Sequence, residues 1–370
     1  MWGKSREVVR DVQTAHGQVL DPGSHAPREA GPPEVRRRGF VVLYTLVLAF
    51  LTICFSDLIA GGVMVLPLPL LLLVLVPVEP IFYGLGMLLI RETTLRWGKG
   101  WAATVLLGGA LGVVAEGLFT KVIFGPASEP AIGVLGTFGR WAGVNWVLAG
   151  LAFLFHGVVT TAVPLFLMAR IFPHTPERRL LSSTAYLTTA ILFVVALSLF
   201  YVYIPYAGDP ELPIRAWAYS PSFPAVALVG VVVAACSYAA WKLPPDFPSP
   251  PRKVPGVGLL PVFAAGAVFT GGLFLIGGPL VSISGSPAVV LGAMVVLGGG
   301  ELLLVRRWLA RGSNRRWLGA MVAGVILPYL LVDSMLEFQG DLGALPLGLL
   351  LFAFALHVAR TEPREVSPAS

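Results

Sequence analysis

Residues 101–124 read WAATVLLGGALGVVAEGLFTKVIF. Between Trp101 and Lys121 the stretch carries one ionisable side chain, Glu116. A helix rises 1.5 Å per residue, so a run of this length spans the ~30 Å hydrocarbon core of a bilayer. A charge held inside that core costs roughly 2.5–3.5 kcal/mol on insertion scales. The segment therefore points to a membrane helix and marks Glu116 as a residue retained for a reason.

Working outward, the same signature recurs along the chain. Ten segments are long and apolar enough to cross, at about 39–62, 64–90, 101–124, 143–171, 180–205, 223–241, 257–277, 286–305, 317–338 and 342–358. Composition agrees: the 370 residues are 56% hydrophobic and 12% charged, with mean hydropathy +0.80, whereas soluble domains carry about 25% charged residues. The 42 glycines and 31 prolines fit helices that approach closely and kink. The expected fold class is all-α, a polytopic integral membrane helical bundle of about ten transmembrane helices with both termini cytoplasmic.

Orientation follows from Lys and Arg. With the N-terminus inside, 23 of the 26 basic residues fall on the inner side, and only Lys121, Arg140 and Arg215 fall outside. Tryptophan gives an independent check. Trp97, Trp101, Trp241, Trp308 and Trp317 fall at inner boundaries, and Trp141, Trp146 and Trp217 at or near outer ones, where indole rings favour the headgroup level. Tyr201, Tyr203 and Tyr206 read as part of the outer aromatic belt. The net charge of +6 is then a matter of topology rather than of nucleic-acid binding, and the partner is the lipid bilayer of a prokaryotic plasma membrane.

Residues 1–38 read as a polar, disordered cytoplasmic tail without the apolar run of a signal peptide. Helices 1–6 occupy 39–241, a Pro-rich cytoplasmic linker 242–256, helices 7–10 residues 257–358, and a second tail 359–370. Cys54 and Cys236 both lie in apolar segments and form no CxxC or Cys/His pattern, so neither a disulfide framework nor a Cys-based zinc site is suggested.

Three consecutive segments each carry an ionisable residue near the middle: Glu79, Glu116 and His156. Glu79 lies in Pro77-Val78-Glu79-Pro80, where two prolines should kink or break the helix. Gly108, Gly112 and Glu116 recur every four residues and share a face, the small-residue stripe of close packing. His156 shares a face with Ala149, Ala152 and Thr160. Two Glu and one His can hold a divalent metal such as zinc with an open position, or pass a proton. Asp57, on the first helix, and Asp333, on the ninth with Tyr329 and Glu337, form a second group toward the outer half. Glu301, close to Arg306-Arg307, and the neighbours Arg91 and Glu92 read as paired residues near the inner surface.

Residues 80–170 resemble a type of uncharacterised prokaryotic multi-pass protein. The likeness rests on Tyr83-Gly84-Leu85-Gly86-Met87-Leu88-Leu89-Ile90-Arg91-Glu92, Gly100-Trp101 and Ala115-Glu116-Gly117-Leu118, with His156 and Pro164 one helix later. The pattern looks distantly like the CPBP (Abi) intramembrane metalloproteases, marked by a Glu-Glu pair followed by Arg and by Phe-x-x-x-His on a later helix. Ala115 stands at the first Glu, Thr120 at the Arg and Ala152 four residues before His156. The resemblance implies Glu116 and His156 as site positions.

Three functions fit. A permease or proton/ion-coupled transporter would use Glu79, Glu116, His156, Asp333 and Asp57 to bind a small-molecule or ion substrate, in a cavity between helices 2, 3, 4 and 9. A CPBP-like hydrolase would use Glu116 and His156 catalytically, with Glu79 completing a metal site. A non-catalytic membrane scaffold would use the same residues as interhelical hydrogen bonds, each contributing about 0.6 kcal/mol.

Overall fold

The computed structural model describes residues 34–58, 78–125, 134–175, 178–207, 219–245, 247, 258–309, 315–338 and 345–361. Val42–Ser370 form one compact unit, separate from Met1–Val41. Among the described residues there are ten helices, when a helix that continues through a π turn is counted as one. In chain order they are α1 (Glu34–Ile53, then a π turn Cys54–Leu58), α2 (Glu79–Trp97), α3 (Trp101–Phe119), α4 (Trp146–Ile171), α5 (Ser183–Ala207), α6 (Phe223–Lys242), α7 (Leu259–Ser284), α8 (Pro287–Leu309), α9 (Arg315–Phe338) and α10 (Leu345–Arg360).

Seven of these, α1 and α3–α8, contain stretches long and apolar enough to cross a membrane, and α9 and α10 contain shorter apolar stretches. The chain is thus an all-α bundle of membrane-type helices. α2 is not among the seven: its nineteen residues include Glu79, Arg91, Glu92 and Arg96. The second apolar segment was expected to end near residue 90, but α2 runs on to Trp97. Its charges end the apolar run without ending the helix, because partners elsewhere in the chain satisfy them. Pro80 sits in the first turn of α2, where the missing N–H breaks no intrahelical bond; the expected break at Pro77 falls outside the described residues.

Two other boundaries moved. Residues 1–33 of the expected tail lie outside the described residues, but Glu34–Arg38 already belong to α1, since Glu and Arg are good helix formers whatever their polarity. α4 starts at Trp146 rather than 143. Arg140–Trp141 pairs antiparallel with Val144–Asn145, and Ala142 and Gly143 both have positive φ, as a two-residue hairpin turn of the primed kind requires. Asn145 then caps α4, accepting from Leu148 N at 3.0 Å while its Nδ2 donates to the Leu135 carbonyl.

The helices differ in how they are buried. The membrane-type windows of α3 and α4 are 72% and 67% buried, whereas that of α5 is 0% and that of α8 17%. α5 exposes Leu187, Ile191, Val194 and Leu199. An apolar helix that turns most of its surface outward belongs against lipid, so α3 and α4 form the inside of the bundle and α5, α6 and α8 its periphery. α3 packs on the π turn of α4 and on α6, while α7 packs along α9 and α9 along α10.

Glycine permits the tightest contacts. A Cβ on Gly324 of α9 would strike the Phe263 carbonyl of α7, and one on Gly266 of α7 the Met321 carbonyl of α9. By contrast, a Cβ on Gly300 of α8 meets nothing within 4 Å. Gly324→Ala is therefore expected to lower the melting temperature in mild detergent, because overpacking costs about 1–3 kcal/mol. Gly300→Ala should leave it unchanged or raise it, since Ala is the better helix former.

Candidate functional site

The centre of the bundle is built where α3 and α4 touch. A Cβ on Gly112 would lie 2.5 Å from the His156 Cβ and 2.8 Å from the Ala152 carbonyl, and one on Gly157 would lie 2.8 Å from the Val105 carbonyl. Each helix thus offers glycine where the other needs room. The stripe of small residues read from the sequence is this contact. One turn beyond Gly112 comes Glu116, which this approach brings to His156: its Oε1 stands 3.3 Å from Nε2.

Both residues lie on π turns, Glu116 in Ala115–Phe119 and His156 in His156–Ala162. A π turn inserts one extra residue and turns the side chains off the α-helical register, a device frequent at functional sites. The π turn in α3 closes with Thr120 N donating to the Ala115 carbonyl. It leaves the Thr120 hydroxyl donating to Glu116 Oε2 at 2.8 Å. His156 is 2% exposed, held between the edge of Phe155 and the face of Tyr83 on α2. The Glu116 side chain is 24% exposed, so the carboxyl is the more open end of the pair.

Thr160 ties the imidazole to its own helix: its Oγ1 lies 3.0 Å from His156 Nδ1 and 3.1 Å from the His156 backbone carbonyl. The other ring nitrogen, Nε2, faces Glu116. Both nitrogens therefore have a partner, and which of them carries the proton follows the tautomer.

The remaining expected site residues fall elsewhere. Glu79 is buried in the first turn of α2 but does not complete a group with Glu116 and His156. Among the described residues no three His, Cys, Asp or Glu come together closely enough to hold a metal. Asp57 falls in the π turn after α1 and Asp333 in α9; both side chains lie outside the described residues. Lys121 turns away from Glu116: its Nζ donates to the Tyr201 carbonyl of α5 at 3.2 Å and lies over the Tyr201 ring. The roles of Tyr83 and Thr120 were not read from the sequence. Thr120 was legible in principle, four residues from Glu116 on the same helix; Tyr83 sits on another helix with no periodic link.

A second ionic centre is structural. Arg91 and Glu92 are adjacent, nearly fully buried, and joined at 2.6 Å. Glu92 also accepts from the backbone N–H groups of Leu180 and Leu181 at 2.9 and 3.3 Å, and Arg91 donates to the carbonyls of Thr175 and Arg178. Arg91 stacks over Tyr44 of α1, and Arg96 lies over Tyr186 of α5 and donates to the Leu181 carbonyl. The paired reading of Arg91 and Glu92 is correct, but what they bind is the α4–α5 connection.

The chain matches no protein-family model, no curated protein and no solved structure.

Two outcomes are expected. Glu92→Ala strands the Arg91 guanidinium in a dry site, and such losses cost about 3–5 kcal/mol; thermal denaturation in detergent should show it as a large drop in melting temperature. In 15N-histidine solid-state NMR, Glu116→Gln should shift the His156 Nε2 resonance and Thr160→Val the Nδ1 resonance, since each changes the partner of that nitrogen.

Proposed function

We propose that this chain is a permease of the prokaryotic plasma membrane that couples movement of a small molecule or ion to proton binding at Glu116 and His156. In this reading the ten helices cross the bilayer with both termini cytoplasmic, as the Lys and Arg distribution requires. The one observation that carries it is the contact itself: a carboxyl and an imidazole 3.3 Å apart where two buried membrane-type helices touch. Ionisable groups inside membrane helices mark proton and ion paths by default. A carboxyl beside an imidazole can bind a proton on one face of the membrane and give it up on the other as its surroundings change.

A second reading has its own support. The two positions that the CPBP resemblance singles out, Glu116 and His156, are the two that meet. In a hydrolase Glu116 would take a proton from an attacking water, with His156 holding it in place. Glu79, the third expected ligand, lies apart from them, so a metal in this reading needs ligands from outside the described residues.

Purified protein in liposomes loaded with a pH-sensitive dye separates these readings. Addition of a panel of amines, carboxylates, amino acids and sugars should yield at least one compound that changes internal pH. Glu116→Gln and His156→Gln should abolish that change while melting near the wild-type temperature. Silence of the wild type across the panel, or unimpaired flux in both variants, sinks the permease reading. A divalent metal bound by the wild type and lost in His156→Ala would put the hydrolase in its place.

A further inference from the structure

A cavity lies apart from the Glu116–His156 pair, neither of which lines it. It measures about 450 Å³ and lies between α3, α4, α7, α8 and α9, with Leu243 and Phe247 contributed by the segment after α6. The sequence placed a substrate cavity between helices 2, 3, 4 and 9; the observed one involves α7 and α8 instead of α2. The volume falls in the usual range for small-molecule sites, about 300–1,000 Å³.

Its walls are apolar and rich in aromatic rings, among them Trp101, Phe153, Phe166 and Phe269. They carry one ionisable group, Glu301 of α8. Glu301 is 8% exposed, and its Oε2 has no hydrogen-bond partner among the described residues. The basic neighbours expected to pair with it do not. Arg306 and Arg307 follow at five and six residues, which places them off the Glu301 face of the helix. Both are exposed, and Arg306 lies over the Phe247 ring. A polar atom buried without a partner is costly, and a lone carboxyl in an apolar, aromatic chamber has the form of a ligand site: a few placed polar groups in an otherwise greasy pocket.

We infer that this cavity binds a lipophilic amine, an apolar body with a single ammonium group, whose N–H donates to Glu301 while its body fills the aromatic chamber. A carboxylate takes a charge-assisted hydrogen bond from the cation, and aromatic faces attract the same charge. A lipid acyl chain would fill the volume but leave Glu301 Oε2 without a donor, and an organic anion would be repelled. Access is lateral. Leu302 lines the cavity and is 42% exposed, on a helix that turns most of its surface outward, so a molecule already dissolved in the bilayer reaches the site without crossing water.

Equilibrium binding of tritiated 1-adamantylamine to the full chain in lipid nanodiscs tests this, with empty nanodiscs as background. The wild type should show a single saturable class of sites, displaced by unlabelled amine and not by the isosteric 1-adamantanol or 1-adamantanecarboxylate. Glu301→Gln should weaken binding about tenfold or more, the loss of one charge-assisted hydrogen bond. Ala102→Phe, filling the chamber from α3, should do the same from an unrelated wall. Absence of saturable binding in the wild type overturns the inference. So does equal affinity in Glu301→Gln, or displacement by the alcohol as readily as by the amine, which would make the cavity a site for any apolar molecule.

Discussion

At Gly112 the backbone of α3 comes so close to α4 that one added methyl group would strike His156. Within a bilayer the hydrophobic effect offers helices little reason to associate, because lipid tails are as apolar as leucine side chains. Association rests on close packing and on hydrogen bonds, and both need small residues at the contact. Gly108, Gly112 and Gly157 supply that room between α3 and α4, and Gly266 and Gly324 between α7 and α9. The meeting of Glu116 with His156, the burial of the imidazole and the fit of α6 against the other side of α3 all depend on this one approach. The π turns adjust it further, each re-aiming an ionisable side chain that a regular helix would have pointed elsewhere.

The described ionic groups are handled in three ways that differ in how fully they are satisfied. Arg91 and Glu92 sit in a complete network: each charge meets the other and the backbone of the α4–α5 connection as well. That arrangement holds α2 to the rest of the bundle and leaves nothing for a ligand to add. Glu116 and His156 meet each other and one threonine hydroxyl apiece, Thr120 and Thr160, and the carboxyl stays partly exposed. Glu301 faces an apolar chamber with one oxygen unpaired among the described residues. The more complete the network, the more structural its role. Buried charges that gain a full set of partners specify a contact, whereas those left short of a donor are where an outside molecule can bind.

Peripheral and central helices also divide the work. α5 and α8 carry apolar side chains outward with few buried positions, and α3 and α4 bury most of theirs. Two of the polar residues read as functional, Glu116 and His156, lie on the buried pair. The cavity next to Glu301 bridges the two regions, since α8 contributes one wall while facing outward on its other side.

Sequence alone determined that the chain is a bundle of membrane-type helices, roughly where most of those helices lie, and that Glu116 and His156 sit on small-residue faces. These are local properties: the length of an uncharged run and a four-residue spacing are written along one strand of chain. The apolar run of α2 stops near residue 90 while its helix continues to Trp97, because Arg91 and Glu92 meet carbonyls and N–H groups of residues more than eighty positions away. Glu301 was expected to pair with arginines that point elsewhere. Only the tertiary structure decided that Glu116 meets His156 while Glu79 joins no such group among the described residues, and that a chamber of about 450 Å³ lies beside Glu301. Each of these turns on distances between different helices, set jointly by every contact in the bundle, and no periodicity within one helix encodes them.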